Sequence, residues 1–385
     1  MNIAGARDYR GHGSAAQKSI WHFQMMLAQF HEVEAERKGF GKKDISEGEK
    51  SFYDFMKSLY QELYENPGKF LIPTNEYDNY IKSPDFVNKT FANAHQNDAK
   101  ESMLRNTFQK AIHFYPDFFY RLGLSADKIC PQTFSLAIKE AQYDEILLTL
   151  GKPYVHKENA SRIAALLAMG INVTKKAGMY FIASSLYPKM FLGLMVLCDA
   201  PESKYKYMNY LRLDYKGYRR AMPEIADIMP TLGPEFRKHL DGLQVFFADT
   251  KLKFRVKPMR SIASSHGWKV EYALQGKNVY GFFGEPDHLT LYIYFNDAKN
   301  ISEVAEKMAS MDAGLYDWFC DKFPERLCKC RYNRMVVFGN SKRRICGMSN
   351  KAEIHDPNEE DINQSIKAIE IFRGLKVRKN DVKCK

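Results

Sequence analysis

Recognisable signatures of enzyme chemistry are scarce in this sequence. It has no Walker phosphate loop and no HExxH or similar metalloprotease spacing. Ser125–Lys128 and Ser203–Lys206 match the Ser-x-x-Lys pattern, but neither is accompanied by the partner motifs of that enzyme class. The motifs therefore support no common nucleotide-binding, metalloprotease or serine-hydrolase class, and they leave open whether the protein is an enzyme.

Long apolar runs are also missing. The first residues, MNIAGARDYRGHGSAAQKSIW, contain no apolar stretch of the kind found in secretion signals. The longest apolar stretch, around Met190–Cys198, is far shorter than the ~20 residues that a membrane span needs. The seven cysteines are an odd number and do not suggest a disulfide framework. These features predict a cytoplasmic protein with free thiols or a metal site and with no membrane partner.

The sequence is rich in apolar residues, which make up 45% of the chain. A chain of 385 residues exceeds the ~250–300 residues at which single cores stop growing, so we expect two domains. Apolar residues recur at helical spacing up to about residue 249 and then alternate with polar residues, as in strands. We predict an α+β fold, with a mainly α-helical domain over 1–249, a small α+β domain with an antiparallel sheet over 250–375, and a basic disordered tail over 376–385.

Local patterns predict several elements within these domains. We expect one helix from Ser14 to about Arg37 and another over 131–150, with Pro131 in its first turn. Alternation near 171–184 predicts a small hairpin with Lys175–Gly178 as its turn. Near the end of the chain, Asp356 fits the N-cap of a helix that Gly374 would end.

Three short segments carry a resemblance to a known group of proteins. They are Tyr187–Leu194, Leu213–Tyr215 and the basic run Arg343–Cys346, which ends on a cysteine. In these segments the chain resembles a group of uncharacterised two-part bacterial proteins, over about Ser161–Leu375. The resemblance implies a helical part followed by a small α+β part with cysteines near its end, and it implies no particular activity.

Four of the seven cysteines lie close together, at Cys320, Cys328, Cys330 and Cys346. Structural zinc sites usually present four ligands as two close pairs, whereas these cysteines are separated by seven, one and fifteen residues. Cys328 and Cys330 would lie on one face of a strand, and Cys320 would have to reach them from the preceding helix. The four thiols are one candidate zinc site, and three of them with His355 are another.

The same thiols have two other interpretations. Free cysteine is commonly buried as a small apolar side chain, in which case the four residues are structural. Alternatively, positive charge lowers the pKa of a thiol, and Cys328 and Cys330 are flanked by Arg326, Lys329 and Arg331. This second interpretation predicts a thiol-dependent enzyme or redox protein that uses Cys328 or Cys330.

The segment also contains a concentration of positive charge, and the whole chain has a net charge of +11. The candidate anion-binding residues are Arg331, Arg334, Lys342, Arg343 and Arg344. One positive surface formed by them would contact phosphates without reading a base sequence. There are two other interpretations of these five residues. Cations on an exposed strand prevent edge-to-edge aggregation, and the five cations could instead form ion pairs with the acidic segment Asn358–Asp361. Our leading hypothesis is a non-enzymatic binding or regulatory protein whose basic hairpin contacts nucleic acid or another anionic partner.

Overall fold

The structure is a computed structural model in which the chain divides into two units. It describes residues 13–381 except 33–36, 38, 89, 91–92, 152–155, 204, 218–224, 230–231, 249–251, 259–267, 275–276, 286–287, 296–300, 324, 326–332, 339–340 and 347–350. The first unit contains the described residues of Met1–Ser83 and Lys100–Pro223. The second contains those of Pro84–Ala99, Glu224–Met259 and Gly267–Lys385.

The first unit is built mainly of helices, together with one small sheet. Its helices are α1 (Ala15–Met26), α2 (Lys42–Glu65), α3 (Glu76–Ile81), α5 (Ala94–Ser125, from Lys100 onward), α6 (Glu140–Gly151), α7 (His156–Leu167), α8 (Met190–Cys198) and α9 (Lys206–Leu211). A 3-10 turn, Pro67–Phe70, follows α2. Its strands are β1 (Lys128–Ile129), β2 (Leu136–Lys139), β3 (Ile171–Lys176) and β4 (Met179–Ser184).

Helix α8 lies at the centre of this unit. Every residue of α8 is buried, as expected for a helix that is apolar on all sides. It packs against the apolar stripe of α2, which includes Phe52, Phe55 and Leu59. Helix α1 begins where the sequence indicated, because the Ser14 side chain caps it and Gln17 bonds back to the backbone of Ser14. The helix ends at Met26, however, and not at the expected Arg37.

The sheet of the first unit has the strand order β1-β2-β4-β3, and all its pairings are antiparallel. The predicted hairpin is present as β3 and β4, and its turn residues Ala177 and Gly178 both have positive φ, as tight hairpin turns require. The helix predicted over 131–150 begins only at Glu140. The preceding residues form β2 because buried Leu136 and Ile138 pair with β4 and extend the sheet.

The second unit combines a five-stranded sheet, a separate hairpin and helices. Its helices are α4 (Pro84–Val87), the beginning of α5, α10 (Ile225–Ile228), α11 (Pro234–Ala248), α12 (Ile301–Met311), α13 (Ala313–Lys322) and α14 (Glu359–Asp381). Its strands are β5 (Lys253–Pro258), β6 (Trp268–Leu274), β7 (Lys277–Glu285), β8 (His288–Tyr294), β9 (Asn333–Phe338), β10 (Ser341–Cys346) and β11 (Lys351–His355). The larger sheet has the antiparallel order β11-β8-β7-β6-β5, and β9 pairs with β10 alone.

One face of the larger sheet is apolar and buried. Leu289, Leu291 and Ile293 of β8 and Ile354 of β11 belong to it. Helices α12, α13 and α14 contact one another, and α13 contacts β11. Sheet and helices therefore enclose a core typical of an α+β arrangement.

The end of the chain differs from its prediction in three ways. Residues 351–355 form strand β11, a short edge strand that we did not predict. Asp356 is not the N-cap, because α14 begins at Glu359, where Asn358 and Asp361 exchange side chain–backbone hydrogen bonds. Gly374 does not end α14, which continues through Asp381, and residues 382–385 of the predicted tail lie outside the described residues.

The α+β fold class is confirmed, with the helical region first and the strand-rich region after it. The division between the units differs from our predicted boundary at residue 249, because α10 and α11 group with the second unit. Among the described residues, no helix combines the length and the apolar character that crossing a membrane requires.

Candidate functional site

The hairpin of β9 and β10 has two different faces. Val336 and Ile345 are buried on one face, which we call the inner face. On the opposite, outer face, Met335 and Val337 are 50% and 55% exposed. Because side chains alternate along a strand, this pattern fixes which residues of the hairpin face solvent.

The strand register distributes the basic residues between these faces. Lys342 pairs with Val337 and Arg344 pairs with Met335, so both cations belong to the outer face. Arg343 pairs with Val336 and belongs to the inner face. The single positive surface expected from the sequence is therefore divided by the pleat of the hairpin.

Arg343 has a specific partner inside the protein. Its Nη1 donates hydrogen bonds to the carbonyl oxygens of Cys320 and Phe323, at the C-terminal end of α13. The last carbonyl groups of a helix have no partner within the helix, and a cation there also interacts favourably with the helix dipole. Arg343 thus joins β10 to α13, which is a structural role.

An acidic side chain also contacts the hairpin. Glu325 accepts a hydrogen bond at Oε1 from the backbone N–H of Arg344, with a nitrogen–oxygen distance of 3.2 Å. The carboxylate offsets part of the positive charge of β10. Arg331 lies outside the described residues, and only the backbone of Arg334, paired with Ile345, is described. Anion binding by these residues stays a prediction.

The four clustered cysteines are only partly described. Cys320 is buried in α13, and desolvation by burial raises the pKa of its thiol, although Tyr316 and Arg343 act in the opposite direction. Cys346 is placed by its backbone alone, and Cys328 and Cys330 lie outside the described residues. The predicted zinc site and the predicted reactive thiol thus depend mainly on residues whose positions are not described.

The described residues give no support for a metal site. They contain no group of three or more His, Cys, Asp or Glu side chains that could hold a metal ion. His355, which the sequence offered as a fourth zinc ligand, has its Nδ1 atom 3.2 Å from Thr290 Oγ1. No structural observation therefore favours zinc at Cys320 and Cys346.

A different cysteine, Cys130, has a thiol whose pKa is lowered, although its Sγ also donates a hydrogen bond to Gln132 Oε1 at 3.1 Å. Cys130 lies in the turn between β1 and β2 and is partly exposed. Hydrogen bonds from the Thr133 side chain and from the backbone of Gln132 and Thr133 lower its pKa, and Lys128 acts in the same direction. Cys130 could not be singled out from the sequence, because its hydrogen-bond donors are mostly backbone groups of a turn.

Comparison with family models, with curated proteins and with solved structures finds no match to this chain. The resemblance to the two-part bacterial proteins is therefore neither supported nor contradicted.

Proposed function

We propose that this chain is a cytoplasmic binding protein that contacts an anionic partner, with nucleic acid as the first partner to test. One observation supports this proposal above all others. Met335, Val337, Lys342 and Arg344 lie together on the outer face of the hairpin.

The composition of the outer face suits a partner with both charged and apolar groups. Lys342 is exposed and Arg344 is partly exposed, and cations of this kind bind phosphates without reading sequence. Met335 and Val337 present apolar surface beside these cations. Exposed apolar surface rimmed by polar residues is typical of interaction sites. Nucleic acid offers phosphates for the cations and base faces for the apolar side chains.

The inner face supports the proposal because it fixes the orientation of the hairpin. Val336 and Ile345 are buried, β9 contacts α12, and Arg343 binds the end of α13. A surface held in one orientation loses less conformational entropy when it binds than a mobile loop does. The outer face is thus presented to a partner on a supported element.

A purely protective role for the cations explains less of the pattern. Lysine on an edge strand discourages pairing with other chains, and Lys342 would serve that purpose. Protection does not account for Met335 and Val337, each about half exposed between the cations. Exposed apolar side chains on an edge would favour aggregation, so their presence favours a binding surface.

A double charge reversal tests the proposal. We expect Lys342→Glu with Arg344→Glu to weaken binding of a fluorescently labelled single-stranded oligonucleotide, measured by anisotropy at several salt concentrations. Each lost phosphate contact lowers the slope of log K against log salt by ~0.7 for single strands, so the slope should fall by about 1.4. Arg343 is left intact because its loss would disturb α13.

The matched control is Lys42→Glu with Lys43→Glu. These lysines are exposed in the first turn of α2, where acidic residues are favourable, and the double change alters the net charge by the same amount. Equal weakening by the control would mean that only net charge matters. Unchanged binding by the hairpin variant would exclude the outer face as the nucleic-acid contact.

A further inference from the structure

A cluster of polar side chains lies where β8 begins and β11 ends, in the second unit. His288 and Thr290 are two residues apart on β8 and therefore on the same face of the sheet. His355 pairs with Thr290 across the two strands, and Asp356 follows directly. Residues distant in sequence are thus brought together by the antiparallel register.

These four side chains form a continuous chain of hydrogen bonds. Asp356 Oδ1 is 2.8 Å from His288 Nδ1, and His288 Nε2 is 3.0 Å from Thr290 Oγ1. Thr290 Oγ1 is also 3.2 Å from His355 Nδ1. The two imidazole rings are nearly parallel, with centroids 5.7 Å apart. A carboxylate, an imidazole and a hydroxyl in this order have the geometry of an activated catalytic group.

Asp356 is held in place by the backbone of β8. Its N–H donates to Leu289 O at 2.7 Å, and its Oδ1 accepts from the Leu289 N–H at 3.0 Å. Its φ of +45° lies in the left-handed region, which is unusual for a residue with a side chain. An unfavourable backbone conformation persists only where the surroundings fix it, and here it directs the carboxylate at His288.

The carboxylate determines where the hydrogens lie. Asp356 accepts the Nδ1–H of His288, so Nε2 of neutral His288 accepts the hydroxyl hydrogen of Thr290. The Thr290 oxygen can then accept the Nδ1–H of His355. This order leaves Nε2 of His355 as the nitrogen with a lone pair, and His355 is exposed whereas Thr290 is only 3% exposed.

We propose that His355 is the catalytic residue of an ester-hydrolysing site, with Nε2 as the reacting atom. The positioning residues are Thr290, His288 and Asp356. They fix the tautomer of His355, and they take up and stabilise the proton that His355 loses from Nδ1. The acidic start of α14, Glu359–Asp361, follows three residues after Asp356. A nucleophilic imidazole attacks acyl carbons, and the exposed carboxylates of Glu359 and Glu360 disfavour anionic esters, so we take a neutral or cationic carboxylic ester as the substrate class.

The proposed reaction has two steps. First, His355 Nε2 bonds to the acyl carbon while the bond to the leaving alkoxide breaks. The Nδ1 proton of His355 passes to Thr290, and the hydroxyl proton of Thr290 passes to His288, where Asp356 stabilises the imidazolium. A water molecule then cleaves the acyl–nitrogen bond of His355. Its hydroxyl group joins the acyl carbon, which releases the carboxylic acid, and the other hydrogen of the water stays on Nε2. The relay returns a proton to Nδ1, and Nε2 gives its proton to the alkoxide.

The test measures hydrolysis of p-nitrophenyl acetate by the full-length chain and its variants. We expect His355→Gln to remove most of the protein-dependent rate, because the reacting nitrogen is lost. Thr290→Val keeps the shape of the side chain but interrupts the relay, and should lower the rate by at least about tenfold. Thr290→Ser retains the hydroxyl and should remain within about twofold of the wild-type rate, since the relay is preserved.

The control is His95→Gln, because His95 is an exposed histidine in α5, outside the cluster. Any surface imidazole hydrolyses this ester slowly, so the control measures that background. An unchanged rate for His355→Gln, or equal losses for His355→Gln and His95→Gln, would overturn the proposal. Equal rates for Thr290→Val and Thr290→Ser would overturn the relay, and a loss in Thr290→Val that Thr290→Ser restores would support it.

Discussion

The two units of this protein hold their elements together in different ways. In the first unit, backbone lies directly on backbone, since a Cβ atom added to Gly193 of α8 would lie 2.2 Å from the Gly48 carbonyl oxygen of α2. At two contacts of the second unit, side chains make the connection instead: Arg343 joins the hairpin to α13, and Leu232 covers Gly284 of β7. A side chain can change its rotamer, whereas a helix backbone cannot move alone. We therefore expect the first unit to tolerate change less well.

The largest expected effect is that of Gly193→Ala. The new methyl group would overlap the Gly48 carbonyl and would also lie 2.8 Å from Glu49 Cα, so α2 and α8 would have to separate. Overpacking of a rigid core costs ~1–3 kcal/mol or more, and we expect at least about 3 kcal/mol here. This loss should exceed the ~1 kcal/mol that alanine normally gains over glycine within a helix. The measurement is the free energy of unfolding from urea titration, followed by far-UV circular dichroism.

Gly68→Ala is the matched control for this prediction. Gly68 is also in the first unit, but an added Cβ atom would have no other atom within 4 Å. We expect a change of less than about 0.5 kcal/mol. If Gly193→Ala behaved like this control, the close approach of α2 and α8 would not determine the stability of the first unit.

A smaller effect is expected when Arg343 is replaced in the second unit. Arg343→Met keeps an aliphatic side chain but leaves the Cys320 carbonyl oxygen without its guanidinium partner. Loss of a partner from a part-buried carbonyl costs about 1–3 kcal/mol. Thermal unfolding should therefore show a lower midpoint for Arg343→Met, while Lys342→Met on the outer face should unfold like the wild type. Equal midpoints for both variants would show that the contact with α13 contributes nothing measurable.

Sequence patterns were informative where a single element carries its own signal. The start of helix α1 at Ser14 and the β3–β4 hairpin could be predicted because their determining residues are close in sequence. Strand β2 could not, because Leu136–Lys139 becomes a strand by pairing with β4, at least 40 positions away in sequence. Local spacing favoured a helix there, and the tertiary pairing overrode it.

The basic residues of the hairpin show the same limit. The sequence indicated that Lys342, Arg343 and Arg344 are close together, and strand alternation separates Arg343 from the other two, but only its pairing with buried Val336 shows that Arg343 faces inward. The histidine cluster was hidden for a similar reason, since 67 residues separate His288 from His355 and neither fits a known motif. Contacts across a sheet depend on the register of its strands. The register of β8 with β11 could not be predicted, because β11 itself was not recognised in the sequence.

The smallest expected change in the free energy of unfolding, that of Gly284→Ala, gives the most direct comparison of packing in the two units. In Gly284→Ala, the added Cβ atom would lie 2.3 Å from Leu232 Cδ2, but the other two nearest atoms, also of Leu232, are 3.5 and 3.6 Å away. The overlap is therefore with the tip of one flexible side chain, which can move to another rotamer. We expect a loss of about 1 kcal/mol in the free energy of unfolding, well below that of Gly193→Ala.

A double-mutant cycle with Leu232→Ala tests this explanation. If Leu232 alone opposes the new methyl group, Gly284→Ala should cost nothing further in the Leu232→Ala background, and the two single losses should not add. If the free-energy losses of the two single variants added fully in the double variant, the backbone of β7, and not Leu232, would be what opposes the added methyl group. In that case the second unit would be as rigid at this position as the first unit is at Gly193, and the contrast between side-chain and backbone packing would fail.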